Sequence, residues 1–113
     1  MAYVDGFLIP VPTANKDAYI AFSRKWLPKF KEWGALEVYE CWGDDVPSGE
    51  VTDFARAVQL KDDETVVFSW NIWPDKDTRD AAWAKMMESD DMDMPFDGKR
   101  MIFGGFTPIA IET

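Results

Sequence analysis

A chain of 113 residues, 47% hydrophobic and 15% aromatic, is sized for a single domain over residues 1–113 with a packed core, and is too apolar to be disordered. Its formal charge of −9 opposes nucleic-acid binding, which depends on Lys and Arg neutralising phosphates. The absence of histidine removes Ser-His and Cys-His nucleophile pairs and His-held zinc or haem, so any catalysis falls to carboxylates, Lys, Tyr, Cys or a cofactor; separately, no metal and no cofactor are expected.

Tyr3 to Val11 carries Phe7-Leu8-Ile9 and exits through Pro10 and Pro12, which reads as a first strand. Thr13 or Asn15 can cap the helix that follows, in which Tyr19, Phe22, Trp26, Phe30 and Trp33 recur at spacings of three and four as one buried stripe. Pro28 interrupts that stripe and predicts a kink or break before the helix stops at Gly34. Ala35 to Trp42 alternates as a second strand, with Leu36, Val38, Glu40 and Trp42 on one face and Glu37, Tyr39 and Cys41 on the other. A turn through residues 43–49 leads to a short helix capped by Thr52 or Asp53, with Phe54, Ala55, Ala57 and Val58 on one face.

Thr65 to Trp73 is a third strand, with Val66, Phe68, Trp70 and Ile72 on one face and Val67, Ser69, Asn71 and Trp73 on the other, and both faces are expected to be largely covered. Pro74-Asp75-Lys76-Asp77 opens the last long helix, with Ala82, Trp83, Met86 and Met87 as its inner stripe and its end near Glu88-Ser89. Ser89 to Asp93 is the linker-like stretch. Asp97-Gly98 then supplies a turn with its φ > 0 position, and Met101 to Ile111 closes the sheet, with Gly104-Gly105 expected to mark a bulge or the close approach of another backbone.

This order is the split βαββαβ of a ferredoxin-like α+β domain: a four-stranded antiparallel sheet with its helices on one side. Two helices cover one face only, whereas strands one, three and four are apolar on both. An uncovered apolar face marks an interface, so the expected assembly is a homodimer with sheets packed face to face, and a pocket between the layers is the natural ligand site. The single cysteine fits a reducing compartment. No apolar run approaches a membrane span, and no basic-then-apolar leader is present, so a cytoplasmic protein is expected.

Three blocks, Tyr3-Val4-Asp5-Gly6-Phe7, Glu40-Cys41-Trp42 through Val51-Thr52-Asp53-Phe54, and Met94-Pro95-Phe96-Asp97-Gly98-Lys99-Arg100-Met101-Ile102-Phe103-Gly104-Gly105-Phe106, closely resemble the bacterial YbaA-like family, domain of unknown function 1428. Val66-Val67-Phe68-Ser69-Trp70 and Arg79-Asp80-Ala81-Ala82 fit it too, so the resemblance spans nearly the whole chain. It implies a dimeric α/β barrel of ferredoxin-like protomers, cytoplasmic and without an assigned activity. Relative to that family this chain is shorter between Met87 and Met94.

Glu40 is the first chemical candidate, because a carboxyl among Leu36, Val38 and Trp42 has a raised pKa and can act as acid or base near neutrality. At a wet strand edge it is a solvated carboxylate instead. Arg100 follows the turn and can pair with Glu40, clamp an anion, or pair with Asp97 and hold the turn. Trp42, Trp70 and Trp73 are candidates to line a pocket for a flat apolar molecule, with core packing as the plainer role. Cys41, with no histidine to activate it, reads as a small hydrophobe. Two readings stand: a protein binding a small apolar or aromatic molecule in a sheet-lined pocket, with cofactor-independent catalysis by Glu40 undecided, or a non-catalytic dimeric interaction or stress-related protein without a ligand.

Overall fold

The computed structural model describes residues 1–89 and 93–113; Asp90, Asp91 and Met92, which carry most of the linker-like acidic run, lie outside the described residues. Four strands and three α-helices follow in the order β1 (Tyr3–Pro12), α1 (Lys16–Glu32), β2 (Glu37–Trp42), α2 (Phe54–Ala57), β3 (Glu64–Trp73), α3 (Lys76–Met87) and β4 (Ile102–Phe106). The strands form one sheet in the order β2-β3-β1-β4, every neighbouring pair antiparallel, which is the ferredoxin-like arrangement expected from the sequence.

Period-two alternation sorts the sheet into two faces. Ile9 and Val11 of β1 and Val67 of β3 point to the helices and meet Tyr19 of α1 in one core cluster, against which Phe7, Phe22, Trp42, Phe96 and Met101 pack. A second cluster joins Trp73 of β3 to Ala35 and to Ala82 of α3, flanked by Tyr3, Phe30, Trp33 and Val38. The aromatic stripe of α1 is therefore core.

Local chemistry explains the element ends. Asp53 and Asp75 cap α2 and α3 by accepting from the backbone N–H groups of Arg56 and Thr78, at 2.7 and 2.8 Å. Gly34 ends α1 in the left-handed region, φ 113°, as a glycine after a helix should. Asn15 begins α1 without a side-chain cap; a 3-10 turn over Thr13–Asn15 leads in instead.

Four expectations are corrected. Of the kink or break expected at Pro28, the break does not occur, since α1 runs through it to Glu32: burial of Trp26 and packing of Phe30 outweigh one missing backbone bond. β4 stops at Phe106 and not at Ile111, because Pro108 has no N–H to donate and Phe106 is already paired with Val4, next to the start of β1. Met87 is exposed and leaves the inner stripe of α3 to Ala82 and its neighbours. Gly98 keeps φ below zero; the turn is instead built by Asp97, whose side chain accepts from the N–H of Lys99 at 3.1 Å.

Candidate functional site

The outward side chains of the four strands form three rows across the face opposite the long helices. Tyr39, Trp70, Gly6 and Gly104 make the middle row, Cys41, Phe68, Leu8 and Ile102 the row on one side, and Glu37, Ile72, Val4 and Phe106 the row on the other. Within these rows Glu37 is the one ionised side chain, and it sits on the edge strand β2. Within the protomer the two faces of β3 differ: Ser69, Asn71 and Trp73 are buried toward the helices, whereas on the open face Val66 is buried, Trp70 and Ile72 are half-buried and Phe68 is 46% exposed. α2 covers only part of that face, laying Phe54 against Phe68 at 6.1 Å between ring centroids.

The middle row is uneven by construction. Tyr39 and Trp70 stack at 4.8 Å and 10°, a raised aromatic plate, and beside it Gly6 and Gly104, directly paired, leave two adjacent positions without side chains. The result is a hollow of about 290 Å3 lined by Leu8, Phe54, Phe68, Ile102, Phe103 and Phe106 over the glycine floor. Neither glycine is there for its backbone, since neither has positive φ. A Cβ at Gly6 would meet the Phe106 ring at 3.6 Å and one at Gly104 would meet it at 3.5 Å, so the fold has room for alanine at both. Gly105 differs. Its Cβ would point to the helix face and fall into the Tyr3 ring, 2.7 and 2.8 Å from two ring carbons. The Gly-Gly pair marks a close approach, but of a side chain in regular register, where a bulge or another backbone was expected.

The five sequence candidates, Glu40, Trp42, Trp70, Trp73 and Arg100, do not converge on this hollow. Trp70 belongs to the open face and touches its lining through Phe68, at 5.3 Å between centroids. Glu40 and Trp42 point to the helix face. Glu40 accepts a hydrogen bond from the Tyr19 hydroxyl and another from Ser69, its cross-strand neighbour. Burial, partly opposed by those two donors, raises the Glu40 carboxyl above its ordinary value, and burial together with the nearby Glu40 charge raises the Tyr19 hydroxyl. Trp42 packs on the core and receives the Lys16 ammonium over its ring at 5.6 Å. Trp73 is fully buried in the core and does not line this hollow.

Arg100 pairs with neither Glu40 nor an open pocket. Its guanidinium forks onto Glu64 at 2.7 and 2.6 Å, donates to Asp97 at 2.9 Å and to the Gln59 carbonyl at 3.0 Å, fastening the 97–101 turn to the start of β3. Those bonds hold the Glu64 and Asp97 carboxyls below their ordinary values. Sequence reasoning missed Asp5, which is fully buried in β1. One carboxylate oxygen takes the Nε and Nη2 of Arg79, both at 2.9 Å, and the other takes the indole N–H groups of Trp73 and Trp83, again at 2.9 Å. The signal was available, because Asp5 shares its alternation with Ile9 and Val11. Four donors saturate it, so it anchors structure and leaves no lone pair for a substrate.

A larger hollow of about 390 Å3 lies against α1 beside Phe22, Trp26 and Pro95 and gathers none of these candidates. No group of three or more His, Cys, Asp or Glu suited to a metal occurs among the described residues, and no helix among them is long and apolar enough to cross a membrane.

Comparison with known proteins agrees with this geometry. A solved structure described as a dimeric ferredoxin-like protein from an uncultured marine organism superposes with TM-score 0.65 over 99% of this chain and 98% of its own, at 11% identity, a likeness of fold. A de novo designed protein, Foldit4, superposes with TM-score 0.50 over 96% of this chain and 99% of its own, at 12% identity. The uncharacterized proteins YbaA of Escherichia coli K12 and of Shigella flexneri are each 54% identical over 117 residues, covering 99% of this chain and 100% of the relative. The model of the DUF1428 family, proteins of unknown function, matches residues 2–103, and the chain belongs to that family.

Proposed function

We propose that the protein is a homodimer whose open sheet faces pack together about a two-fold axis, and that the hollow over Gly6 and Gly104 holds a small apolar or aromatic molecule between the two sheets. The paired glycines carry this reading. Glycine inside a strand costs roughly 0.5–1 kcal/mol relative to alanine, and here neither backbone conformation nor packing asks for it. What the glycines preserve is space above the sheet, walled by Leu8, Phe68, Ile102 and Phe106 and continued by the flat Tyr39–Trp70 plate. No ionisable side chain lines the hollow, which favours an uncharged ligand. Its volume is close to the lower end of ligand sites, at roughly 300 Å3, and a second hollow facing it across the axis would enlarge it.

On this reading the protein binds and does not transform. Glu40 is separated from the hollow by the thickness of the sheet, so catalysis through it would need a substrate entering at the β2 edge beside Tyr19. One observation favours a ligand-free dimer as the second reading: Phe106 already lies over both glycines and is 62% exposed, so two such rings could fill the space themselves. Native mass spectrometry of protein purified gently from its own cells separates the two. The proposal expects a dimer carrying extra mass that Gly104→Leu removes while leaving the fold intact. A clean dimer for both proteins supports the second reading.

A further inference from the structure

We infer that Phe106 is a displaceable cover over the glycine floor and that the molecule taking its place there carries a flat, uncharged aromatic ring. The inference rests on the ligand reading above and names the ligand's class. A Cβ placed at Gly6 would meet the Phe106 ring at 3.6 Å, and one at Gly104 would meet it at 3.5 Å. Among the described residues, chain neighbours aside, no other group comes within 4 Å of either position. The two glycines therefore share one aromatic ring as their cover. Laid over a glycine of an edge strand such as β4, a ring shields backbone that has no side chain of its own.

Phe106 is also the least anchored of the rings around the hollow. It is 62% exposed, so much of its surface already faces water. The other bordering rings are each set against a further ring: Phe54 against Phe68, and Phe7 and Phe103 against each other and against Trp83. Phe106 has no such ring partner among the described residues. It stands at the end of β4, an edge strand, where rotation about χ1 carries the ring outward while its backbone stays paired with Val4. Exposed side chains make such rotamer changes rapidly.

The ring that leaves indicates what can replace it. Its departure bares a flat surface over two glycines, beside Phe54 and Phe68 and without an ionisable side chain. A flat uncharged ring covers that surface again and meets Phe54 and Phe68 in the offset or edge-to-face arrangements that aromatic pairs prefer. Because Phe106 must move first, the ligand binds the parent chain more weakly than a chain lacking that ring, by the fraction of time the cover is open.

The test titrates 2-naphthol, neutral at neutral pH, into the parent chain, Phe106→Leu, Phe106→Ala and Gly104→Leu by calorimetry, following the Hα resonances of Gly6 and Gly104 by NMR. Phe106→Leu keeps an apolar side chain for the dimer contact, and circular dichroism and sedimentation confirm that each titrated variant keeps the parent's fold and assembly. Both Phe106 variants should bind about tenfold more tightly than the parent, as for a cover open about a tenth of the time, and Gly104→Leu should not bind. The glycine Hα signals, shifted upfield by the ring in the parent, should lose that shift in Phe106→Leu and regain it with 2-naphthol. Phe106 variants that bind no better than the parent make the ring a fixed wall and overturn the inference. So does binding that leaves the glycine signals unmoved, or equal affinity for decahydro-2-naphthol, the saturated counterpart. Absence of binding by the parent and every variant removes the ligand reading itself.

Discussion

At the scale of single residues, one glycine pair behaves in two ways because adjacent positions on a strand face opposite sides of the sheet. Gly105→Val drives a side chain into Tyr3 and should lower the melting temperature sharply, while Gly104→Val, pointing into the hollow, should leave it nearly unchanged; equal losses in thermal unfolding would contradict the assigned faces. Asp5 shows what a buried charge requires. Removing it as Asp5→Ala strands Arg79 and two indole N–H groups, and chemical denaturation should register a loss of about 3–5 kcal/mol, whereas a loss below one would mean that water replaces the carboxylate freely. Glu40 makes a prediction in pH. Its carboxyl binds a proton more tightly in the folded chain than in the unfolded one, so its contribution to stability is complete below the ordinary carboxylate value and fades as pH rises through the raised one. Glu40→Gln, which still accepts from Tyr19, should therefore gain in melting temperature over the parent as pH climbs through that window, and a constant offset at every pH would sink the assignment.

At the scale of elements, what was legible followed from periodicity and capping. The alternation of β1 and β3, the aromatic stripe of α1 and the cap at Asp53 respond to local rules; Asp75 caps α3 by the same rule, while Asn15 makes no side-chain cap to α1. The misreadings share another cause, the outcome of competition between distant groups. Pro28 stays inside a helix because Trp26 is buried and Phe30 packs on the core on either side of it, and β4 ends early because Pro108 has no N–H to donate and Val4, the partner of Phe106, lies next to the start of β1. Glu40 lay on the face that alternation assigned to it, but Tyr19 as its donor belongs to another element and could not be read from β2. The glycine floor was least legible of all. Gly6 and Gly104 are 98 positions apart, and only the register of β1 against β4 puts them side by side.

At the scale of the whole molecule, a two-layer protomer with helices on one face and aromatic side chains on the other leaves that second face without a covering layer, which the proposed dimer would supply. The open face presents Phe54, Phe68, Phe106, Ile102 and Tyr39 to solvent, an exposed apolar patch of the kind that marks an interface. In the proposed dimer the hollow and the stacked Tyr39–Trp70 plate face that second layer. Phe68→Asp tests this directly, because the side chain is half exposed in the protomer and central in the proposed contact; a folded monomer is the expected product. The measurement to which everything else answers is sedimentation equilibrium of the unmodified chain across micromolar concentrations. A species of twice the 13.0 kDa chain mass that Phe68→Asp converts to a single chain is what face-to-face packing requires. A species of one chain mass throughout, with the open face left in water, would contradict it.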